Sequence, residues 1–322
     1  LYGIAFDVGS TTVAAHLCDL ASGEVIASAG KMNPQIRYGE DLMSRVSYIM
    51  MNPGGEDKLV AAVRQAMNEL IVDVTAQVNL EITDVLELTI VGNPIMQHLV
   101  LGISPVELGT APFALATDSS VDTRASDIGL AIHPGGYAYA LPCIAGHVGA
   151  DAAGVLLAEA PQDHDGVSLL VDVGTNAEIL LGNAERLLAA SSPTGPAFEG
   201  AQISGGQRAA PGAIERVRID KETFEPRFRV IGSDLWSDDP NFSHEAPQVT
   251  GICGSGIIEV IGEMFLAGIL SADGKIGASD SARVVEDGRT NAYVLHDGDP
   301  KIHITQNDVR AIQLAKAALH AG

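Results

Sequence analysis

Ile4-Ala5-Phe6-Asp7-Val8-Gly9-Ser10-Thr11-Thr12 returns in outline later in the chain as Leu169-Leu170-Val171-Asp172-Val173-Gly174-Thr175-Asn176-Ala177. In each phrase an apolar run reaches an aspartate, turns through glycine and small polar residues, and continues into a second strand-like run, Val13 to Leu17 and Glu178 to Leu181. Apolar runs on either side of a short polar turn predict a β-hairpin. The parallel continues past each hairpin. Ala21-Ser22-Gly23-Glu24 turns into a third strand, Val25 to Ala29, and Gly182-Asn183-Ala184-Glu185 turns into Arg186 to Ala190. Two lobes that open with the same three strands follow.

Length agrees with two lobes. A single core stops growing at roughly 250–300 residues, and this chain has 322, with 46% apolar residues. The expected division is a first lobe over 1–160, with an insertion near 31–80 and a connecting helix at 149–160, and a second lobe over 161–322 that ends in a helix at 307–321. Helical spacing of apolar residues places a helix over Asp57 to Val78, after the Pro53-Gly54-Gly55 breaker, and others at Gly149 to Ala160, Ser255 to Leu270 and Asn307 to Ala321. Buried strands are expected at Leu86 to Val91, Tyr137 to Ile144 and Arg227 to Ile231, and a surface loop at Asp234 to Gln248. Small residues at helical spacing, Gly149, Ala153 and Gly154 on one helix and Ala311, Ala315 and Ala318 on another, suit the close crossing of a hinge. Good helix propensity alone accounts for either set equally well.

Composition excludes several classes. A formal charge of −22 argues against nucleic-acid and anionic-membrane partners, which reward clustered Lys and Arg. The longest uncharged stretch, Ile128 to Ala150, is interrupted by His133, Pro134, Gly135, Gly136, Pro142 and His147 and does not read as a spanning helix. Cys18, Cys143 and Cys253 are scattered and odd in number, which points to a reducing, cytoplasmic setting and away from a local metal or cluster motif. The nine histidines have no paired ligand spacing, and His98, His133 and His147 read as structural.

The hairpin tips carry the chemistry. Glycine lets the backbone come close to a phosphate, the amides and hydroxyls that follow donate to its oxygens, and an aspartate at the strand end can hold Mg²⁺ through water. These tips are Gly9, Ser10, Thr11 and Thr12, with Asp7, and Gly174, Thr175 and Asn176, with Asp172. One Gly–hydroxyl turn alone is an ordinary turn former; two copies, one in each lobe, point to a clamp on the phosphates of Mg-ATP. Asp151, in the first turn of a helix, either complements the helix dipole or orients and deprotonates an attacking water. Gly254, Ser255 and Gly256, within Gly251-Ile252-Cys253-Gly254-Ser255-Gly256 at a helix start, suit a phosphate or ribose, or simply a packing turn. No Gly-x-x-x-x-Gly-Lys-Ser/Thr phosphate loop occurs.

The two hairpins and connecting helices resemble the acetate and sugar kinase, heat-shock chaperone and actin (ASKHA) superfamily, which implies an α/β fold of two actin-like (ribonuclease H-like) lobes. Each lobe would be a mixed sheet opening with a β-hairpin and flanked by helices. The wording is most similar to the reductive activators of corrinoid proteins. The phrases that carry this are Phe6 to Thr12, Asn33-Pro34-Gln35 with Tyr38-Gly39-Glu40-Asp41, Val91-Gly92-Asn93-Pro94, Gly146-His147-Val148-Gly149-Ala150-Asp151, Gly195-Pro196-Ala197-Phe198-Glu199-Gly200, and Gly251 to Gly256. The resemblance implies Mg-ATP on Asp7, Asp172 and the two tips, and a corrinoid protein as partner. ATP turnover would then permit reduction of Co(II) corrinoid to Co(I). It also implies a 2Fe-2S cluster in an N-terminal ferredoxin-like domain that lies outside this sequence, and a Gly-Gly adenosine-contacting segment beyond Gly322. A homodimer stays open. A small-molecule kinase using Asp151 as base, and a non-catalytic nucleotide-gated scaffold, are the alternatives that fold alone does not separate.

Overall fold

The computed structural model of the chain describes residues 1–39, 41–200, 202–277 and 281–322. Glu40, part of one family-like phrase, lies outside the described residues. The strands in chain order are β1 (Tyr2–Val8), β2 (Thr12–Asp19), β3 (Val25–Met32), β4 (Val85–Gly92), β5 (Val121–Arg124), β6 (Tyr137–Ala140), β7 (Ser168–Val173), β8 (Ala177–Gly182), β9 (Leu187–Ser192), β10 (Ala213–Ile219), β11 (Pro226–Val230), β12 (Gly251–Ile252), β13 (Val284–Asp287), β14 (Thr290–His296) and β15 (Ile302–Ile304). The helices are α1 (Leu42–Met51), α2 (Gly55–Gln77), α3 (Pro94–Leu101), α4 (Ala150–Glu159), α5 (Phe242–Glu245), α6 (Gly254–Leu266) and α7 (Gln306–Ala321).

Contacts divide the chain into two compact units: residues 1–172 with 178–191, and residues 173–177 with 192–322. In the first unit six strands form one sheet in the order β3-β2-β1-β4-β6-β5. β1 pairs antiparallel with β2 from Tyr2↔Asp19 to Val8↔Val13, and parallel with β4, which brings Asp7 opposite Val91 and Val8 opposite Gly92. β4 in turn pairs parallel with β6. An antiparallel meander followed by the parallel β4 and β6, with β5 antiparallel at the edge, is the actin-like α/β sheet the family resemblance implies. Strand alternation puts Ile4, Phe6 and Val8 into the core with Val13, Ala15 and Leu17 of β2. The long helix α2 seals that face with Leu59, Val63, Met67, Leu70, Ile71 and Val74, spaced three and four apart. Asp7 therefore falls on the other face of β1.

Two features hold β4 close to β1 and the start of α4 close to the end of β4. A Cβ at Gly92 would lie 2.7 Å from the Val8 carbonyl oxygen, and one at Gly149 would lie 2.5 Å from the Gly92 oxygen, 2.6 Å from Asn93 Cα and 2.6 Å from Asp151 Oδ1. A side chain at 92 would push β4 away from β1, and one at 149 would force the start of α4 away from the end of β4. Between them Asn93 caps α3 by accepting from the Met96 amide at 3.0 Å, with Pro94 in the first turn.

In the second unit β11-β10-β12 and β13-β14-β15 form separate three-stranded sheets around one core that includes Ile214, Val217, Phe228, Val260, Tyr293 and Val309. The hairpin strands β7-β8-β9 make another three-stranded sheet, which lies mostly in the first unit, with its tip at 173–177 counted in the second. The strands of residues 161–322 thus lie in three small sheets. β10 and β11 alternate buried Val217, Ile219, Phe228 and Val230 with Arg216, Arg218, Arg227 and Arg229, the pattern of a sheet covered on one face only. α7 starts at a capping box in which Thr305 accepts from the Asp308 amide and Asp308 accepts from the Thr305 amide.

Several boundaries differ from expectation. β6 ends at Ala140 rather than Ile144, because Pro142 has no N–H for the ladder and Ala145 to Val148 form a turn. α6 stops at Leu266, short of Leu270, where Gly268 takes a left-handed backbone. The expected loop at 234–248 contains the short α5. Leu70→Ala, at a site with no solvent exposure, should cost about 2–5 kcal/mol in denaturant unfolding of the first unit. Leu157→Ala, on the open face of α4, should change it by less than about 0.5 kcal/mol.

Candidate functional site

The first hairpin predicts the site, and its tip is well defined. Gly9 makes the turn tight: a Cβ there would lie 2.7 Å from the Thr12 carbonyl oxygen. Ser10 is nearly buried. At the end of β1, Asp7 keeps an opening to solvent, yet the surrounding protein lifts its carboxyl above the usual range. The Asp172 charge adds to this rise, and His16 partly opposes it.

Three further carboxylates belong to the same neighbourhood of the first unit. Asp151 sits in the first turn of α4, half-buried, and its Oδ1 accepts from the Ala152 amide at 2.8 Å. Burial pushes it up to about 6, against the pull of that amide and with further upward pressure from Asp7 and Asp172. Glu178, on β8, is 7% exposed and accepts from the Ser191 hydroxyl at 3.1 Å. Burial pushes Glu178 up to about 7, and the Asp151 charge raises it further. Asp172 lies on the rim, exposed, at the end of β7. The sequence brought forward Asp7, Asp151 and Asp172, and the structure couples all three electrostatically.

Glu178 was read only as the start of a strand. The signal for it was its place two residues after Asn176, where β8 alternation turns it inward while the apolar Leu180 packs with Val148 and Ala152 of the α4 region. Asn33 and Arg45 are the other residues whose positions matter here. Both are fully buried, and both reach the first tip.

The second tip, Gly174, Thr175 and Asn176, is held within the second unit. Thr194 Oγ1 donates to Gly174 O at 2.9 Å, the Gly195 amide donates to Thr175 O at 2.9 Å, and Thr175 Oγ1 donates to Glu199 Oε1 at 2.5 Å. Gly254 and Gly256, also in this unit, begin α6 and have a packing role of their own. A Cβ at Gly254 would collide with the Phe198 carbonyl oxygen, and one at Gly256 with the Ile214 carbonyl oxygen. Ser255 Oγ lies 3.3 Å from Cys253 Sγ.

Among the described residues no group of three or more His, Cys, Asp or Glu side chains is arranged to hold a metal directly. Among the described residues no helix is long and apolar enough to cross a membrane.

The sheet order and the hairpin site define a protein of the ASKHA, actin-like class. Residues 2–162 match the family model of the RACo middle region and residues 166–322 that of the C-terminal domain of RACo, the ASKHA domain; the chain belongs to this family. It is 35% identical, over all of its length and 54% of the relative's, to the corrinoid activation enzyme RamQ of Eubacterium limosum. It is 26% identical to the [Co(II) methylated amine-specific corrinoid protein] reductase of Methanosarcina barkeri, of which it covers 58%. A solved structure of a reductive activator for corrinoid,iron-sulfur protein superposes on the whole chain with a TM-score of 0.89 at 34% identity, across 50% of that protein. The chain thus spans about half the length of the relatives it matches.

The raised carboxyls have a consequence for stability. Asp151 and Glu178 bind their protons more tightly folded than unfolded, so they favour the fold fully below the ordinary carboxylate range. That contribution is lost as pH rises through about 6 and about 7. Without ligand, the melting temperature should fall from pH 5 to pH 8. Asp151→Asn and Glu178→Gln, followed by calorimetry across that range, should each flatten the decline; an unchanged slope in both would contradict the assignment.

Proposed function

We propose that this chain is the ATP-binding and hydrolysing part of a reductive activase that lets a Co(II) corrinoid protein be reduced to Co(I). The observation that carries the reading is the coupling of Asp7, Asp151 and Asp172 beside a tight Gly-Ser-Thr-Thr hairpin tip. Family membership supports it, since the relatives are described as corrinoid activation enzymes and reductive activators. In this reading Gly9 to Thr12 and Gly174 to Asn176 donate to phosphate oxygens, and Gly254 to Gly256 lie nearer the nucleoside. Asp7 and Asp172 hold Mg²⁺ through water, and bound Mg²⁺ supplies charge neutralisation on the phosphates.

The roles of the acids follow from their surroundings. Asp7 and Asp172, both exposed on the first unit, are placed to meet a hydrated cation. Asp151, raised toward neutrality and fixed by the helix start, is placed to take a proton from water at physiological pH, because a base works best with a pKa near the working pH. Glu178, deeper in the protein, is itself raised by burial and then by the Asp151 charge.

ATP turnover would do work on the partner. Moving one electron uphill costs about 2.3 kcal/mol per 100 mV. A nucleotide-dependent change in contacts with a corrinoid protein is of the right size to offset that. The electrons in this reading come from a 2Fe-2S cluster carried by another part of the same protein. The kinase and scaffold alternatives have no separate observation in their favour.

Asp7→Ala and Asp172→Ala should each abolish Mg-dependent ATP hydrolysis. Asp151→Asn should retain Mg-ATP binding while slowing hydrolysis by roughly 100-fold or more. Phosphate release and calorimetry check both, and ATP-dependent appearance of the Co(I) absorption band in a purified corrinoid protein checks the partner. Wild-type turnover in the Asp7 and Asp172 variants would contradict the site, and equal loss of binding and rate in Asp151→Asn would make that residue structural.

A further inference from the structure

Three successive carbonyls of the first tip are each engaged from the protein side. The Asn33 side-chain amide donates to Gly9 O at 2.9 Å, Arg45 Nη2 donates to Ser10 O, and the Asn33 backbone amide donates to Thr11 O at 2.9 Å. Asn33 directly follows β3, and its Oδ1 accepts from the Gln35 amide at 3.0 Å. Arg45 lies on α1, in the segment that separates the opening hairpin from the long α2. Its Nε donates to Gly39 O at 2.9 Å and its Nη1 donates to Gln35 Oε1 at 3.2 Å. Asn33, Gln35 and Arg45 are all 0% exposed.

The same brace occurs in outline in the second repeat. There the segment leaving β9 supplies it: Thr194 Oγ1 donates to Gly174 O and the Gly195 amide donates to Thr175 O. In both halves, then, the residues that follow the third strand hold the tip carbonyls. The first tip differs in receiving a guanidinium as well. Burial lowers Arg45 to about 10, with Asp41 partly opposing, so it remains a cation at neutral pH.

This arrangement has a physical meaning for an anion. Carbonyl oxygens repel phosphate, and a turn whose carbonyls already accept hydrogen bonds from the protein interior presents its amides and hydroxyls instead. A charged donor makes the stronger bond, and its positive charge sits one hydrogen bond behind Ser10. We infer that Arg45, with Asn33, is a positioning residue that fixes the first hairpin tip for phosphate, and that the segment bearing α1 serves this purpose. The inference rests on the nucleotide reading of the tip. Planar, multi-acceptor contact is also what lysine does not reproduce, since an ammonium is a point charge on a flexible stem.

The test uses the whole protein that carries this chain. Wild type, Arg45→Met and Arg45→Lys are compared by Mg-ATP calorimetry, thermal unfolding, and amide hydrogen exchange at residues 9–12 and in β1, β2 and β4. In Arg45→Met, Mg-ATP should bind at least roughly 10-fold more weakly, the loss expected for one charge-assisted contact. Exchange at residues 9–12 should accelerate while the strands keep wild-type protection. A folded Arg45→Met that binds as wild type overturns the inference. Faster exchange spread evenly through the strands does so too, because it marks a general structural role. If Arg45→Met does not fold, Arg45→Lys decides: weaker binding with selectively faster tip exchange supports the brace, and wild-type behaviour overturns it. If the wild type itself binds no Mg-ATP, the nucleotide reading fails. Tip exchange in the variants then still decides the brace, upheld by selective acceleration and overturned by none.

Discussion

Close approach of β4 to β1, and of the start of α4 to the end of β4, is the constraint on which the site depends. It requires residues without a Cβ at 92 and 149, one touching the Val8 carbonyl and the other the Gly92 carbonyl and the Asp151 carboxylate. With those two glycines in place, the parallel register of β1 and β4 sets Asp7 opposite Val91, and the helix start adds a second carboxylate to the same neighbourhood. The remaining parts follow from this close fit. Leu180 of β8 packs with Val148 and Ala152 at the helix, which carries Glu178 inward. Burial raises the carboxyls of Asp7, Asp151 and Glu178, and the charges of neighbouring acids add to the rise.

A cluster of like charges costs stability, and functional sites commonly retain such costs. Here the unliganded first unit holds carboxylates that a hydrated cation would neutralise. On the far side of the tip the charge is reversed, with the Arg45 guanidinium buried behind Ser10. In the proposed reading, the acids would face a hydrated cation and the Arg45 guanidinium would sit behind the turn that receives phosphate.

Much of this was legible in the sequence because it is local. Asp7 and Asp172 end strands whose alternation can be counted, and the repeated phrase marked both tips before any coordinates. The helices at 55–77, 150–159 and 306–321 follow from apolar spacing and from caps such as Thr305 with Asp308. Other features depend on pairing between distant segments and left no local trace. Glu178 looked like the first residue of a strand, since its partners Asp151 and Ser191 are far away or across a hairpin. Nothing local marked Arg45, because the α1 that carries it was not foreseen and its hydrogen-bond partners lie elsewhere in the chain. The split of the later strands into small sheets was hidden for a similar reason: the charged faces of β10 and β11 are visible, but which strand each one pairs with is not.

The central claim is that the first tip and its carboxylates receive a metal-bound nucleotide rather than a free anion or a free cation. Equilibrium binding of ATP to the protein that carries this chain, measured side by side with saturating Mg²⁺ and with a chelator, tests it most directly. The account predicts clear binding of Mg-ATP and a severe loss without the metal, because Asp7, Asp151, Asp172 and Glu178 would then face an uncompensated triphosphate. Equal affinity with and without Mg²⁺ would contradict it.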